Sequence, residues 1–280
     1  MAYEIRNLGL GGILDSTFRL LREHFKFIVI VTGVLYFPLP LVIELSQAVL
    51  SPNTYLADTT IFGEPETPDG IVPRLDGEPE TPESAAAGLI GTLEEPVLMI
   101  LGALMQGALA YGLAMRIRGR NIRAADAIRV ALRRSPGLVG LNIIYLIGVA
   151  VGCVFLLVPG IIFAMMWFVI VPAYMIERVS LGKAFSRSAA IMKGQKNKAF
   201  NVCILLVIVT LGGLFIAFII PNAYVVAILY ATVDSMYRAL FAIAATVIYF
   251  SSRCANENLD LELLAASMEA QQPQEAISPL

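Results

Sequence analysis

The segment FLLVPGIIFAMMWFVIVPAYMIERVSLGKAFSRS, Phe155 to Ser188, decides the fold. Ile161 to Tyr174 is almost wholly apolar, and the apolar character runs back through Val158 into the preceding segment. Pro159-Gly160 interrupts it. Proline presets the first central position of a type II turn and glycine accepts the positive φ of the second, so two membrane crossings are expected to meet at Val158–Gly160. Trp167 falls inside the second of them and Tyr174 near its end, where an amphipathic ring suits the headgroup level. Glu177-Arg178 ends the run. Beyond Ser180, Leu181, Ala184, Phe185, Ala189 and Met192 recur at helical spacing with Lys183, Arg187 and Lys193 between them. That is the pattern of a basic amphipathic helix lying on an anionic membrane surface.

The rest of the chain repeats this unit. It is 58% hydrophobic and 15% charged, with a mean hydropathy of +0.75. Soluble domains sit at about half apolar and about a quarter charged. The excess is gathered in long runs, which is the membrane signature. The net charge of −2 averages two sides of a membrane and decides nothing. Cys153, Cys203 and Cys254 have neither metal-ligand nor redox spacing, and His24 is the sole histidine, so neither a metal nor a cofactor is expected. The first apolar run is long enough to span and lacks a cleavage site after it, so it reads as a retained crossing rather than a signal peptide.

Taken in order, residues 9–24 form a basic amphipathic segment. The first crossing runs from about Phe27 to Val49, bent by Pro38 and Pro40. Residues 51–84 change character. They carry GEPETPDG at 63–70 and GEPETPES at 77–84, with eight carboxylates against the single Arg74, so an extended, solvated external loop is expected. Glu94-Glu95-Pro96 marks a water boundary before the second crossing, Val97 to Met115. Its Ala103-x-x-x-Gly107 and Ala108-x-x-x-Gly112 faces suit close helix packing. Seven arginines between Arg116 and Arg134 surround a second amphipathic helix. They read as topology signals in contact with anionic lipid, not as a nucleic-acid interface. Pro136 to Leu157 is the third crossing, with Gly148-x-x-x-Gly152 as its packing face. The Phe155–Ser188 unit supplies the fourth. Asn201 to Ile220 is the fifth, and the sixth lies within Tyr224–Phe250.

The expected fold is therefore all-α: a polytopic helix bundle of six transmembrane helices with three interfacial amphipathic helices. Residues 1–250 form the membrane domain and residues 251–280 a polar tail. With six crossings, the N-terminal segment, residues 116–134, residues 178–198 and Arg253 fall on one side. The positive-inside rule then places both termini in the cytoplasm of a prokaryotic cell membrane. The three basic helices, each followed by a membrane hairpin, form a threefold repeat of parallel units.

Several short motifs carry a resemblance. These are the Pro159-Gly160 turn, the crossing ending in Pro172-Ala173-x-x-x-Glu177, the Ala184-x-x-x-Ser188 core and the Lys193-Gly194 ending. The segment from Gly12 to Phe18 and Tyr249-Phe-x-x-Arg253 add to them. Together they resemble the membrane-domain family named after glycerophosphoryl diester phosphodiesterases. The resemblance implies the fold of the membrane part. No phosphodiesterase barrel follows in this sequence, so that activity is not expected to carry over.

No phosphate loop, zinc-protease helix or serine elbow is present, and an enzyme is not expected. The intramembrane polar candidates are Asp234, Arg238, Glu177 and Glu44. Asp234 and Arg238 lie four apart on one helix face. An ionisable group in hydrocarbon is by default a functional hypothesis, yet the two can pair, and this reading favours a structural pair. Glu177 is expected to meet an arginine at the cytoplasmic end. The expected role is a non-enzymatic scaffold or accessory subunit bound to other membrane proteins. The alternative is a transporter or lipid-handling protein with a polar site around Asp234 and Arg238. A water-filled cavity at that pair would favour the alternative; tight packing would count against it.

Overall fold

The computed structural model describes residues 8–50 and 82–257. The acidic duplicated loop and the tail beyond Glu257 lie outside the described residues. Within them the chain is all helix: α1 (Leu10–Glu23), α2 (Phe25–Leu35), α3 (Pro38–Leu50), α4 (Pro82–Ile117), α5 (Ala124–Arg133), α6 (Ser135–Phe155), α7 (Leu157–Met166), α8 (Ile170–Glu177), α9 (Leu181–Ile191), α10 (Lys196–Phe218) and α11 (Ala223–Glu257). Five spans are long and apolar enough to cross a membrane. Counted as one span, α2 and α3, bent by 57° at their junction, make a sixth. The protein is a multi-pass membrane protein.

The threefold repeat has a physical form. Its units are α1 to α4, α5 to α8, and α9 to α11. The second crossing of each unit is inner: α4, α8 and α11 pack on one another. The first crossings, α2–α3, α6 and α10, lie outside them. Burial follows this order, with 61% of the α4 span enclosed against 17% for α6 and for α10. Each short helix packs on the crossings of the preceding unit: α5 on α4 and α2, α9 on α8 and α6. The first, α1, closes the ring on α11 and α10. Each also buries a small residue eight positions before the next span begins. Thr17, Ala127 and Ser188 precede Phe25, Ser135 and Lys196 by that interval. All three short helices sit at one end, joined to the span termini there. Leu8 donates its amide to Ser251, and Arg134 donates to the carbonyls of Tyr174 and Val179.

Two crossings are broken, and proline explains both. Pro38 and Pro40 have no N–H to offer the carbonyls of Val34 and Tyr36, so α2 stops and α3 restarts at an angle. Pro172 likewise removes the helical donor of Phe168, and α7 gives way to α8 across Trp167–Val169. The Ile170 amide turns to the Trp167 carbonyl. The Met166 carbonyl, left by that amide, accepts from the Ser188 hydroxyl of α9 at 3.0 Å.

Three boundaries differ from the sequence reading. The hairpin turns at Leu156, extended at φ −163°, not at Pro159-Gly160. Pro159 sits in the first turn of α7, where its missing N–H costs nothing, and Gly160 does not take a positive φ. Glycine is needed there for approach: a Cβ would lie 2.7 Å from the Cys153 amide nitrogen and 3.0 Å from its Cα. The helix α4 starts at Pro82, so it takes in the last three residues of the expected loop, and runs on through Glu94-Glu95-Pro96. The last helix continues to Glu257, so residues 251–257, assigned to the tail, are ordered helix.

The small-residue faces are used inside the chain. Gly107 lies under Leu138, Gly112 under Phe27, Gly148 under Trp167, and Gly152 against Gly160 and Phe163. Ala103 and Ala108 are buried.

A Gly160→Ala substitution should force α6 and α7 apart, because backbone cannot yield as a flexible side chain would. A loss of about 1–3 kcal/mol is expected, read as a lower thermal midpoint in detergent. Gly182→Ala, where a Cβ meets nothing within 4 Å, should leave the midpoint unchanged or raise it.

Candidate functional site

The break between α2 and α3 places Tyr36, fully buried, against α11. Its hydroxyl donates to Asp234 Oδ2 at 2.6 Å. Arg238 Nε donates to both Asp234 oxygens at 3.1 Å. The guanidinium carbon stands 4.8 Å from the Tyr36 ring centroid, over its face. The charges therefore cancel locally, and a cation–π contact and a phenolic hydrogen bond support the pair from a second element. It is not sealed: the Arg238 and Asp234 side chains remain 37% and 39% exposed. The Nη1 end of Arg238 reaches Gly102 of α4, where a Cβ would be 3.4 Å away.

That end faces a cavity of about 190 Å³ lined by Gly102, Gln106, Asn142, Tyr237, Arg238 and Phe241, among others. A second cavity, about 60 Å³, shares Gln106, Asn142 and Phe241 and extends to Tyr145, Trp167 and Phe168. Gln106 lies twelve residues after Glu94 and eleven before Ile117, halfway along its span. The two cavities share Gln106, Asn142 and Phe241 near the middle of the α4 span; the second abuts the α7–α8 break, and the first is next to the α2–α3 break only through the contact of Arg238 with Tyr36.

Glu177 belongs to a different cluster, at the end of the bundle that holds the short helices. Arg187 Nε donates to Glu177 at 2.6 Å, and the same guanidinium grips both oxygens of Glu257. Arg253 donates to Glu257 at 2.7 Å and to the Tyr249 hydroxyl at 3.2 Å. Tyr249 in turn donates to Glu177 at 2.8 Å. Two acids, two bases and a phenol tie α8, α9 and α11 together. Every charge has at least two partners, which suits a structural clasp. Glu44 stands eight residues past Tyr36 on α3, within electrostatic reach of Tyr230.

The structure brings Asp234 and Arg238 together and keeps Glu177 and Glu44 apart from them. Tyr36, Gln106, Asn142 and Tyr237 complete the site and were not singled out in the sequence. The available signal was a lone amide in each of two apolar runs, since a buried amide in hydrocarbon needs partners. Among the described residues no group of three or more His, Cys, Asp or Glu side chains is arranged to hold a metal ion. No protein-family profile, curated protein or solved structure matches this chain.

His24, at the α1–α2 junction, meets Arg116 Nη1 at 3.3 Å through Nδ1, which must act as the acceptor. Burial first, then the Arg116 cation, hold its pKa below the ordinary 6.5, against a weaker opposite pull from Glu23. The unfolded chain therefore takes up the proton first as pH falls. This junction's contribution is complete above about pH 6.5 and declines below it. The thermal midpoint should fall between pH 7 and pH 5, and His24→Gln should flatten that component.

Proposed function

We propose that this is a transport or lipid-handling membrane protein whose working site is the polar cavity around Arg238 and Asp234. The observation that carries the reading is the Asp234–Arg238 pair, held at the α2–α3 break by Tyr36, with Arg238 opening on the first of two adjoining cavities whose second abuts the α7–α8 break. Interrupted helices and intramembrane charges are the means by which membrane proteins build substrate sites near the bilayer centre. The cavity offers donors in Arg238, Gln106, Asn142 and Tyr237, with Met99, Ala103 and Phe241 beside them. That set suits the oxyanion or carbonyl of an amphipathic molecule.

The scaffold reading drew on the small-residue faces of α4 and α6. Those faces are filled by Leu138, Phe27, Trp167 and Gly160 of the same chain. Its other supports are the acidic loop, which lies outside the described residues, and the lack of an ion-binding constellation in the sequence. The likeness to the phosphodiesterase-associated membrane domain and the absence of enzymatic activity are parts of the same proposal. So is the setting: a prokaryotic cell membrane, both termini cytoplasmic, and the basic helices on anionic headgroups. The common end of α1, α5 and α9 supports that orientation.

The test uses proteoliposomes carrying fluorescent phosphatidylglycerol, with a membrane-impermeant quencher reporting its movement between leaflets. The wild-type protein should speed that movement. The double variant Asp234→Asn/Arg238→Gln, which keeps the net charge, should slow it at least about tenfold, whereas Tyr36→Phe, which loosens the same contact between α2 and α11 but leaves both charges, should keep the wild-type rate. Equal rates in wild type and the double variant would contradict the reading.

A further inference from the structure

We propose that the site couples its cargo to protons: an oxyanion docks on Arg238, Asp234 takes up one proton, and the two cross together. This rests on the transport reading and adds to it the coupling ion and its stoichiometry. Arg238 commits little of itself to Asp234. Only its Nε–H is given to the carboxylate, at 3.1 Å to each oxygen. Among the described residues neither Nη group has a hydrogen-bond or ion-pair partner. The planar fork that fits two oxygens of a phosphate or carboxylate is therefore open, and Gly102 leaves room beside Nη1. Arg238 is the one charged residue that lines either cavity. Around it are neutral donors: among the described residues Gln106 and the Tyr145 and Tyr237 hydroxyls make no side-chain hydrogen bond. Polar groups in hydrocarbon call for water or a polar ligand.

Charge balance supplies the proton. Without cargo the pair is neutral, as a bilayer interior requires. A monoanion on the fork puts two negative groups on one guanidinium. Two acids that share a site of low dielectric do not both stay ionised, so one proton is taken up. Asp234 is placed to receive it. Its Oδ2 already accepts from the Tyr36 hydroxyl at 2.6 Å. Its Oδ1 has only the Arg238 Nε–H, at 3.1 Å. The O–H bond therefore forms at Oδ1 with a proton from water on the entry side. It breaks to water on the exit side when the anion leaves Arg238. The groups that face Asp234 from other elements do not replace it. Tyr36 comes from the α2–α3 break, with Glu95 of α4 in its electrostatic reach, and Cys203 of α10 reaches Tyr237. Glu44 of α3 acts on Tyr230, one turn before Asp234. The charges of α8 and α9 meet α11 at its other end, at Tyr249 and Glu257. Phenols and thiols already hold their protons at neutral pH, and further carboxylates only raise the cost of a second negative charge.

The experiment places the intact protein in phosphatidylcholine vesicles in sodium-free potassium buffer. Fluorescent phosphatidylglycerol is added to the outer leaflet, and the impermeant quencher reads its leaflet distribution at equilibrium. Protein-free vesicles set the background. With one proton per anion, a difference of one pH unit across the membrane should shift the distribution about tenfold toward the alkaline side. A valinomycin potential of about 100 mV should not move it. An anion crossing alone would ignore the pH difference and follow that potential about fiftyfold. Asp234→Asn should show this second behaviour, and Glu95→Gln the first. A wild-type distribution that follows potential and not pH would overturn the inference and leave the transport reading standing. No protein-dependent movement would defeat both. An Asp234→Asn protein that still follows pH, or a Glu95→Gln protein that no longer does, would overturn the assignment to Asp234.

Discussion

Every backbone polar group inside a bilayer needs a partner, and this chain breaks that continuity twice with proline. Pro38 and Pro40 end α2 early; Pro172 separates α7 from α8. Each break is tolerated because something else meets it. At the first break the Tyr36 carbonyl accepts from the Leu39 amide at 3.3 Å, and the Tyr36 side chain anchors to Asp234 and stacks under Arg238. At Met166 the released carbonyl is taken up by Ser188. The charged pair is therefore more than a local i,i+4 contact. Through Tyr36 it fixes the bent first crossing against the last one, and it leaves one end of Arg238 turned toward the cavity.

The cyclic order of the short helices explains how so open an interior is kept together. Each leans on the unit before it, and α1 reaches back to the last, so the basic end is closed as a ring. The Glu177–Arg187–Glu257–Arg253 clasp ties that ring to α8 and α11. At the opposite end the α6–α7 hairpin turns through wholly apolar, exposed residues from Val154 to Val158. Among the described residues the basic end is held by charges and hydrogen bonds, and the α6–α7 hairpin by close glycine contacts.

Much of the architecture was legible in the sequence. Apolar run lengths gave the crossings, and arginine spacing gave the short helices. What escaped had specific causes. Pro159-Gly160 looks like a turn because proline and glycine favour one, yet the same pair suits the first turn of a helix pressed on a neighbour. Only the proximity of Cys153 shows which demand prevails. The α7–α8 break was hidden because Pro172 stands several residues from the carbonyl it deprives. Asp234 and Arg238 were visible as ionisable groups in an apolar helix. Tyr36, Gln106 and Asn142 were not, since their convergence depends on three separate helices.

The account stands on the interior at Arg238 being a cavity reached by water and not a packed pair. The most direct measurement is thiol accessibility at Gly102→Cys, in a chain whose Cys153, Cys203 and Cys254 are replaced by alanine. Gly102 lines the cavity beside Arg238, so a membrane-impermeant, water-soluble thiol reagent should label it in intact proteoliposomes. A site that stays unlabelled until the protein is unfolded would show the pair to be sealed packing and would contradict the account.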